Sequence, residues 1–378
     1  MRSLSWNKEI LYFDGDSYFR DLLESIESAR SSILLETYIY EYDPLGMRIE
    51  GALIRASRRG VSVRLLVDGI GAARWIERRH PELERSGVAL RIFHPVYVSR
   101  LLGSLFRRSR QFLSKLNRRN HRKVCVVDEK VAFVGSLNVS ADHCASIVGK
   151  SAWRDTGVQV SGEPIHDLIT AFDHAWMRSH TADGKRKWRE TLLDIPKKIK
   201  PISPLVRLNF TFKLRRENSR DLRLRFRKAE RRIWLTNAYL APSAPLVRAL
   251  TKSASRGVDV RLLVPRDSDV FFMPWVAASH YAPLLKAGVR IFEYLPRFLH
   301  AKSVIIDDWA TVGTSNMNRR SALYDFEVDL ELTSTATLSL LESQFHKDLA
   351  QAEEVHEVRG GVTAVLGRLF ASIFKRWI

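Results

Sequence analysis

Two stretches of this chain carry histidine and lysine in the same order. His121-Arg-Lys123-Val-Cys-Val-Val-Asp128 and His300-Ala-Lys302-Ser-Val-Ile-Ile-Asp307 both read His-x-Lys-x-x-x-x-Asp. Each runs into a glycine turn ending in asparagine, Gly135-Ser136-Leu137-Asn138 and Gly313-Thr314-Ser315-Asn316. On a strand, side chains two apart share a face, so each His and its Lys project together. Imidazole works near neutral pH as nucleophile or proton carrier. An ammonium is a fixed cation suited to a phosphate oxygen. Two such units brought together suit the cleavage of a phosphodiester. One imidazole attacks phosphorus and the other protonates the leaving oxygen, while Lys123, Lys302, Asn138 and Asn316 hold the non-bridging oxygens. This chemistry needs no cofactor. No metal is expected either, because lysine is an unusual ligand and the chain has no HExxH or cysteine cluster. A lone His on an apolar strand is more often a core residue, but a matched pair with matched Lys and Gly-x-x-Asn weighs against that reading.

Asp128 lies five residues beyond Lys123 and points off the His-Lys face of an ideal strand. Its expected work is to support the local turn or a backbone amide. Each imidazole also needs an orienting partner on its other nitrogen. Asp155, before Thr-Gly-Val-Gln-Val160, and Glu327, before Val-Asp-Leu-Glu-Leu332, head alternating strands at similar distances downstream of the two motifs. They are the expected orienters, although Arg154 offers Asp155 a competing partner.

The elements that must position these residues recur as well. A capped helix over 16–30, with Asp16 or Ser17 at its start, leads to a strand at Ile33-Leu-Leu-Glu36-Thr-Tyr38-Ile-Tyr40. A helix near 45–59 then leads to a strand over 61–67. In the second half, a helix from Asp221 to Ala229 precedes Ile233-Trp-Leu-Thr-Asn-Ala-Tyr239. Arg256-Gly257-Val258-Asp-Val-Arg-Leu-Leu-Val264 repeats Arg59-Gly60-Val61-Ser-Val-Arg-Leu-Leu-Val67 almost residue for residue. Alternating helix and strand predict an α/β fold, and so long a period means a duplicated domain. The expected organisation is a first domain over 1–180 with an insert at 100–120, a linker over 181–204, a second domain over 205–358 and a tail over 359–378.

The chain has 378 residues, 45% of them hydrophobic, and a formal charge of +19. Such a charge suits nucleic acid, an anionic membrane or phosphate-bearing substrates. Its two cysteines suggest no disulfide framework. The N-terminus lacks the apolar region of a secretory signal, and no apolar run reaches transmembrane length. Residues 100–119 carry seven Lys/Arg and no acid, with Leu101, Leu105, Phe112 and Leu116 near one helical face. In the tail, Val362, Leu366, Leu369, Phe370, Ile373 and Trp377 recur at helical spacing among basic residues. Both stretches read as interfacial amphipathic helices or as helices packed on the protein's own core.

The paired HxKxxxxD motifs with GSLN and GTSN resemble the phospholipase D superfamily. Glu36-Thr-Tyr-Ile-Tyr40, Leu65-Leu-Val-Asp68-Gly-Ile-Gly71, Trp153-Arg-Asp-Thr156 and Asn237-Ala-Tyr239 make the chain similar to its bacterial cardiolipin synthases. The resemblance implies duplicated domains, each a mixed sheet flanked by helices, with one shared site at their interface. It implies a phosphohistidine route in which His121 is the nucleophile and His300 the acid, and it counts Asp128 and Asp307 within the catalytic motif. The long N-terminal transmembrane hairpin of some members has no counterpart, so a cytoplasmic protein bound peripherally at the inner face of the membrane is expected. The implied reaction carries a phosphatidyl group from phosphatidylglycerol to a lipid alcohol. A lipid hydrolase or a nuclease of the same superfamily are the alternatives.

Overall fold

The computed structural model describes residues 5–95, 118–181 and 202–357. Most of the 100–120 insert, most of the 181–204 linker and the C-terminal stripe lie outside the described residues. In the first half the strands are β1 (Lys8–Tyr12), β2 (Ser32–Thr37), β3 (Ser62–Asp68), β4 (Ala89–Phe93), β5 (Val124–Val127), β6 (Val131–Gly135), β7 (Gly157–Ser161) and β8 (His180–Thr181). They form one sheet in the order β1-β7-β6-β5-β2-β3-β4-β8. The second half supplies β9 (Val206–Leu208), β10 (Arg232–Asn237), β11 (Asp259–Pro265), β12 (Arg290–Tyr294), β13 (Lys302–Ile306), β14 (Trp309–Gly313), β15 (Val328–Leu332) and β16 (Ala352–Val355). Read as β9-β15-β14-β13-β10-β11-β12-β16, the second sheet repeats the first strand for strand. In each sheet the strands that begin the repeat pair in parallel, β2 with β3 and β3 with β4, then β10 with β11 and β11 with β12. The motif strands β5 and β13 add antiparallel.

The helices are α1 (Gly15–Ser28), α2 (Pro44–Arg58), α3 (Ala73–Arg85), α4 (Ile165–Arg178), α5 (Phe212–Lys228), α6 (Ala244–Ala254) and α7 (Thr335–Leu349), with several shorter turns. Asp14 caps α1 by accepting from the Ser17 amide at 2.8 Å. The expected caps lie two and three residues too late: Ser17 is the donor, and Asp16 instead accepts from the Ser146 amide. One apolar core joins the inner faces of both sheets to α4 and α7, through residues such as Val126, Val158, Phe172, Trp234, Leu330 and Phe345. Helices α1 to α3 cover the outer face of the first sheet, and α5 and α6 that of the second. The sequences of β2, β3, β10 and β11 are apolar on both faces because both faces are covered.

Candidate active site

His121 and His300 sit immediately before β5 and β13, so the strand register carries Lys123 and Lys302 to matching places in the two halves. The halves meet at these residues through backbone. The His121 amide donates to the Phe326 carbonyl at 3.0 Å, and the Phe326 amide returns a bond to Arg119 at 2.8 Å. Equivalently, the His300 amide donates to the Arg154 carbonyl at 2.8 Å, and the Arg154 amide to Phe298 at 2.9 Å. Phe326 and Arg154 each precede one of the candidate orienting acids. The exchange therefore places each acid under the imidazole of the opposite half.

His121 Nδ1 lies 2.9 Å from Glu327 Oε2, and His300 Nδ1 lies 3.0 Å from Asp155 Oδ1. Each acid is the partner of an imidazole, and the pairing crosses between halves. The competing Arg154 partnership does not form at the carboxylate. Arg154 pairs instead with Asp348 at 2.7 Å and donates to the Asp155 backbone carbonyl and to Thr156 Oγ1. Lys123 Nζ donates to the His121 carbonyl at 2.7 Å, and Lys302 Nζ to the His300 carbonyl at 2.6 Å. Each ammonium is thus tied back beside its own histidine. Tyr38 stands 5.0 Å from the His121 ring and Tyr239 stands 6.0 Å from His300, both measured between centroids.

Asp128 and Asp307 are not at the site. Both lie in the turns beyond β5 and β13, at the far ends of those strands, with φ of 52° and 50°. Asp128 accepts from the amides of Arg30, Ser31 and Ser32 and from the Ser31 hydroxyl, at 2.7 to 3.1 Å. Asp307 does the same for Glu230, Arg231 and Arg232 at 2.9 to 3.0 Å. Their place in the catalytic motif is corrected to that of anchors, as the strand geometry of Asp128 predicts. A strand of four or five residues separates them from the imidazoles.

Asn138 and Asn316 follow glycines that only glycine can supply. A Cβ on Gly135 would meet the Thr156 carbonyl and Gly157 Cα at 2.6 Å, and one on Gly313 would collide with Val328 and Asp329. Asn138 Oδ1 accepts from the Ile39 amide at 3.2 Å, whereas Asn316 Oδ1 is buried without a protein partner.

The two carboxylates are held differently. The Asn138 amide donates to His143 Nε2 at 3.1 Å, which fixes the proton of that ring on Nδ1. His143 Nδ1 then donates to Asp155 Oδ2 at 2.6 Å. Ser321 occupies the matching position, five residues after Asn316, and donates to Glu327 Oε1 at 2.6 Å, while Thr314 donates to Oε2 at 2.6 Å. Asp155 is fully buried, which opposes its charge, yet His300 and His143 together hold its carboxyl well below the usual range. Burial pushes Glu327 up, against the pull of Lys123. Burial and the nearby lysines push both imidazoles well down. Burial also draws Lys123 to about 7 and Lys302 to about 8.

Sequence reasoning missed His143 and Ser321, although aligning the two Gly-x-x-Asn turns places them together. It also missed a supporting layer. Arg119 forms a fully buried pair with Asp68 at 2.6 Å, and Arg122 pairs with Glu36 at 3.0 Å. Asp68 also accepts from the Asn120 backbone amide and Glu36 from its side chain, so both pairs fix the residue before His121.

A family model described as "Cardiolipin synthase, PLD-like domain" matches residues 22–176 and 222–349. The chain belongs to this family. It is 30% identical over 372 residues to the cardiolipin synthase of Clostridium perfringens, covering 97% of this chain and 75% of that protein. A probable cardiolipin synthase of Bacillus subtilis is 30% identical over 371 residues, covering 96% of this chain and 70% of that protein. The crystal structure of phosphatidylserine synthase from Haemophilus influenzae superimposes with a TM-score of 0.75 over 99% of this chain and 95% of its own, at 13% identity. Polyphosphate kinase from Porphyromonas gingivalis gives 0.58 over 98% of this chain and 56% of its own, at 14% identity. At those identities the likeness is one of fold, and it covers both halves. In this member of the cardiolipin synthase family, His143, Asp155 and His300 bring possible ligand atoms within 4.8 Å of one another. Their inner nitrogens are already committed to Asp155 and the His143 Nε2 to a backbone amide, so the group is built as a hydrogen-bond chain. Among the described residues no helix is long and apolar enough to cross a membrane.

Proposed function

We propose that this chain is a cardiolipin synthase-type phosphatidyltransferase that converts two molecules of phosphatidylglycerol into cardiolipin and glycerol. The observation that carries the chemistry is the crossed pair of imidazole–carboxylate contacts. With each Nδ1 facing a carboxylate, each Nε2 is left for the substrate. His121, flanked by two lysines and a carboxyl that burial pushes up, is kept neutral and is suited to attack phosphorus. His300 faces the better anion, Asp155, and is suited to carry a proton. The incoming phosphodiester anion favours the protonated forms of His300, Lys123 and Lys302.

In the first step a His121 Nε2–phosphorus bond forms and the bond from phosphorus to the glycerol oxygen breaks. His300 gives its Nε2 proton to that oxygen, releasing glycerol. In the second step the acceptor hydroxyl loses its proton to His300 as its oxygen attacks phosphorus, and the phosphorus–nitrogen bond breaks. Lys123, Lys302, Asn138 and Asn316 hold the non-bridging oxygens. Water in the acceptor's place gives phosphatidic acid, so hydrolysis and transfer share every residue and differ in the acceptor alone. The charge of +19 supports work at an anionic lipid surface, each nearby basic residue contributing roughly 1 kcal/mol. A peripheral position on the cytoplasmic face of the membrane accords with that charge, and the proposed domain limits are those set out from the sequence.

The test is incubation of purified protein with phosphatidylglycerol vesicles, scoring cardiolipin and free glycerol, with His121→Ala as control. Both products with wild type and neither with the variant are expected. Cleavage of single-stranded DNA without any lipid product would overturn the assignment in favour of a nuclease.

A further inference from the structure

The duplication provides its own reference for what each half contains. In the first half, Tyr12, Tyr18, Phe19 and Phe133 fill the space between α1 and the sheet. Tyr18 lies 5.5 Å from Tyr12, 5.1 Å from Phe19 and 5.7 Å from Phe133, each edge to face. Strand register aligns Tyr12 with Arg207 and Phe133 with Thr311, through their pairing to Gly157 and Asp329 and to Cys125 and Val304. The matching helix ends at Ala29 and Ala229 align Tyr18 with Asn218 and Phe19 with Ser219. All four aromatics are thus replaced by smaller or polar residues. Gly15, which lets the start of α1 sit against the His143 backbone, is matched by Arg215, whose side chain reaches the Leu323 and Tyr324 carbonyls.

The result is a cavity of about 150 Å³ under α5, lined by all four replacements and by Arg215 and Arg223. Its lining includes Lys302 and Asn316 of the candidate active site. Two buried side-chain atoms without a protein partner among the described residues, Trp309 Nε1 and Asn316 Oδ1, belong to residues lining this cavity. One is a donor and the other an acceptor. Leaving both unmatched is costly unless something supplies their complements. Arg215 donates to the carbonyls of Asn209, Leu323 and Tyr324, with no carboxylate ion pair among the described residues, and Arg223 donates to Ser219 Oγ at 2.6 Å. The cavity lining therefore combines hydroxyl-matching groups with guanidinium groups and the Lys302 ammonium.

We propose that this cavity binds the glycerol-phosphate portion of the acceptor lipid. The glycerol hydroxyls meet Asn316, Trp309 and the Asn218 and Ser219 side chains, while the acceptor's own phosphate meets Arg215 and Arg223. The proposal rests on the phosphatidyl-transfer reading for its choice of ligand. It explains why the second copy of an aromatic-filled layer carries polar groups, where burial without partners would destabilise it.

Soluble glycerol phosphate presents the glycerol hydroxyls and the phosphate of the acceptor lipid, and as a phosphomonoester it lacks the diester that the first step cleaves. Melting temperatures are compared for wild type and for Asn218→Tyr/Thr311→Phe, which restores two of the first half's four aromatics. Glycerol phosphate is expected to raise the melting temperature of wild type more than that of the variant, which keeps the catalytic lysines but not the cavity. Equal shifts in both proteins, or an equal shift with inorganic phosphate, would overturn the proposal and leave an anion on the arginines only. With dihexanoyl phosphatidylglycerol, the ratio of cardiolipin to phosphatidic acid is expected to fall by about tenfold or more in the variant, as for a mispositioned reactant. An unchanged ratio would reject the lipid as the source of the ligand. Should the double variant not fold, Trp309→Phe removes the unmatched donor without filling space and is expected to weaken glycerol phosphate binding severalfold; unchanged binding counts against the site. Wild type that binds glycerol phosphate yet makes no cardiolipin would reject the phosphatidyl-transfer reading and leave the cavity's ligand standing.

Discussion

The two imidazoles share a motif but not an electrostatic setting, and that difference is open to measurement. Asp155→Asn removes the anion between His143 and His300, and the expected loss in kcat is about 10²- to 10⁴-fold, as when a catalytic imidazole loses its orienting carboxylate. The pH–rate profile of the variant is expected to lose its limb for protonated His300 at lower pH than wild type, since the imidazolium loses its counter-charge. The lysines make a second prediction. Burial draws Lys123 to about 7 and Lys302 to about 8, below the unfolded value near 10.5. Between those values the unfolded chain binds more protons than the folded one, so this contribution to stability rises with pH from about 7 to about 10.5. Lys123→Met is expected to flatten that rise in urea titrations run across the range, while lowering activity by about 10²- to 10³-fold. At this scale the sequence disclosed the His, Lys and acid residues, because their chemistry repeats. It did not disclose which acid serves which histidine, since spacing within one half carries no trace of a contact made across two. His143 escaped because its counterpart is Ser321, and a repeat searched for identical residues passes over positions that differ.

Among the elements, the turns after β5 and β13 place a motif residue on backbone amides far from the imidazoles. Asp128 joins the α1–β2 connection to the end of β5, and its carboxyl is held down to about 2 by three amides and the Ser31 hydroxyl, against the effect of burial. Its folded value lies below the unfolded one, so its stabilisation is present above about pH 4 and is lost as pH falls toward 2. Asp128→Ala is expected to lower stability by about 1–2 kcal/mol at neutral pH, with kcat per folded molecule near that of wild type. A kcat loss comparable to that of His121→Ala would return Asp128 to the chemistry. The strand alternation that sends this residue off the catalytic face was readable in advance. The cap of α1 was not fixed as well, because Asp14, Asp16 and Ser17 all offer a suitable oxygen and only the direction of chain entry selects Asp14. The order of strands in the two sheets could be inferred only as a repeat, since pairing depends on contacts far apart in the chain.

Across the whole molecule, stability and catalysis meet where the halves join. Arg154 reaches from one half to a buried ion pair with Asp348 in the other, and its carbonyl receives the His300 amide. Arg154→Ala strands Asp348 and is expected to cost about 3–5 kcal/mol in chemical denaturation. Arg154→Lys, which keeps the charge, is expected to recover only part of that, because an ammonium cannot form the two-pronged contact. The charge of the whole chain makes the remaining prediction: binding to phosphatidylglycerol vesicles, followed by sedimentation, is expected to weaken steeply with added salt and to be weaker for a chain lacking 361–378. Undiminished vesicle binding accompanied by a lower melting temperature would assign that tail to the protein core. The crossed carboxylates carry a last consequence. Because each copy orients the other's histidine, a substitution at Glu327 is felt at His121 and one at Asp155 at His300. The outer layers of the two copies differ, α5 carrying polar residues where α1 carries aromatics, whereas at the seam neither copy holds a complete imidazole–carboxylate pair of its own, so neither half is a catalyst by itself.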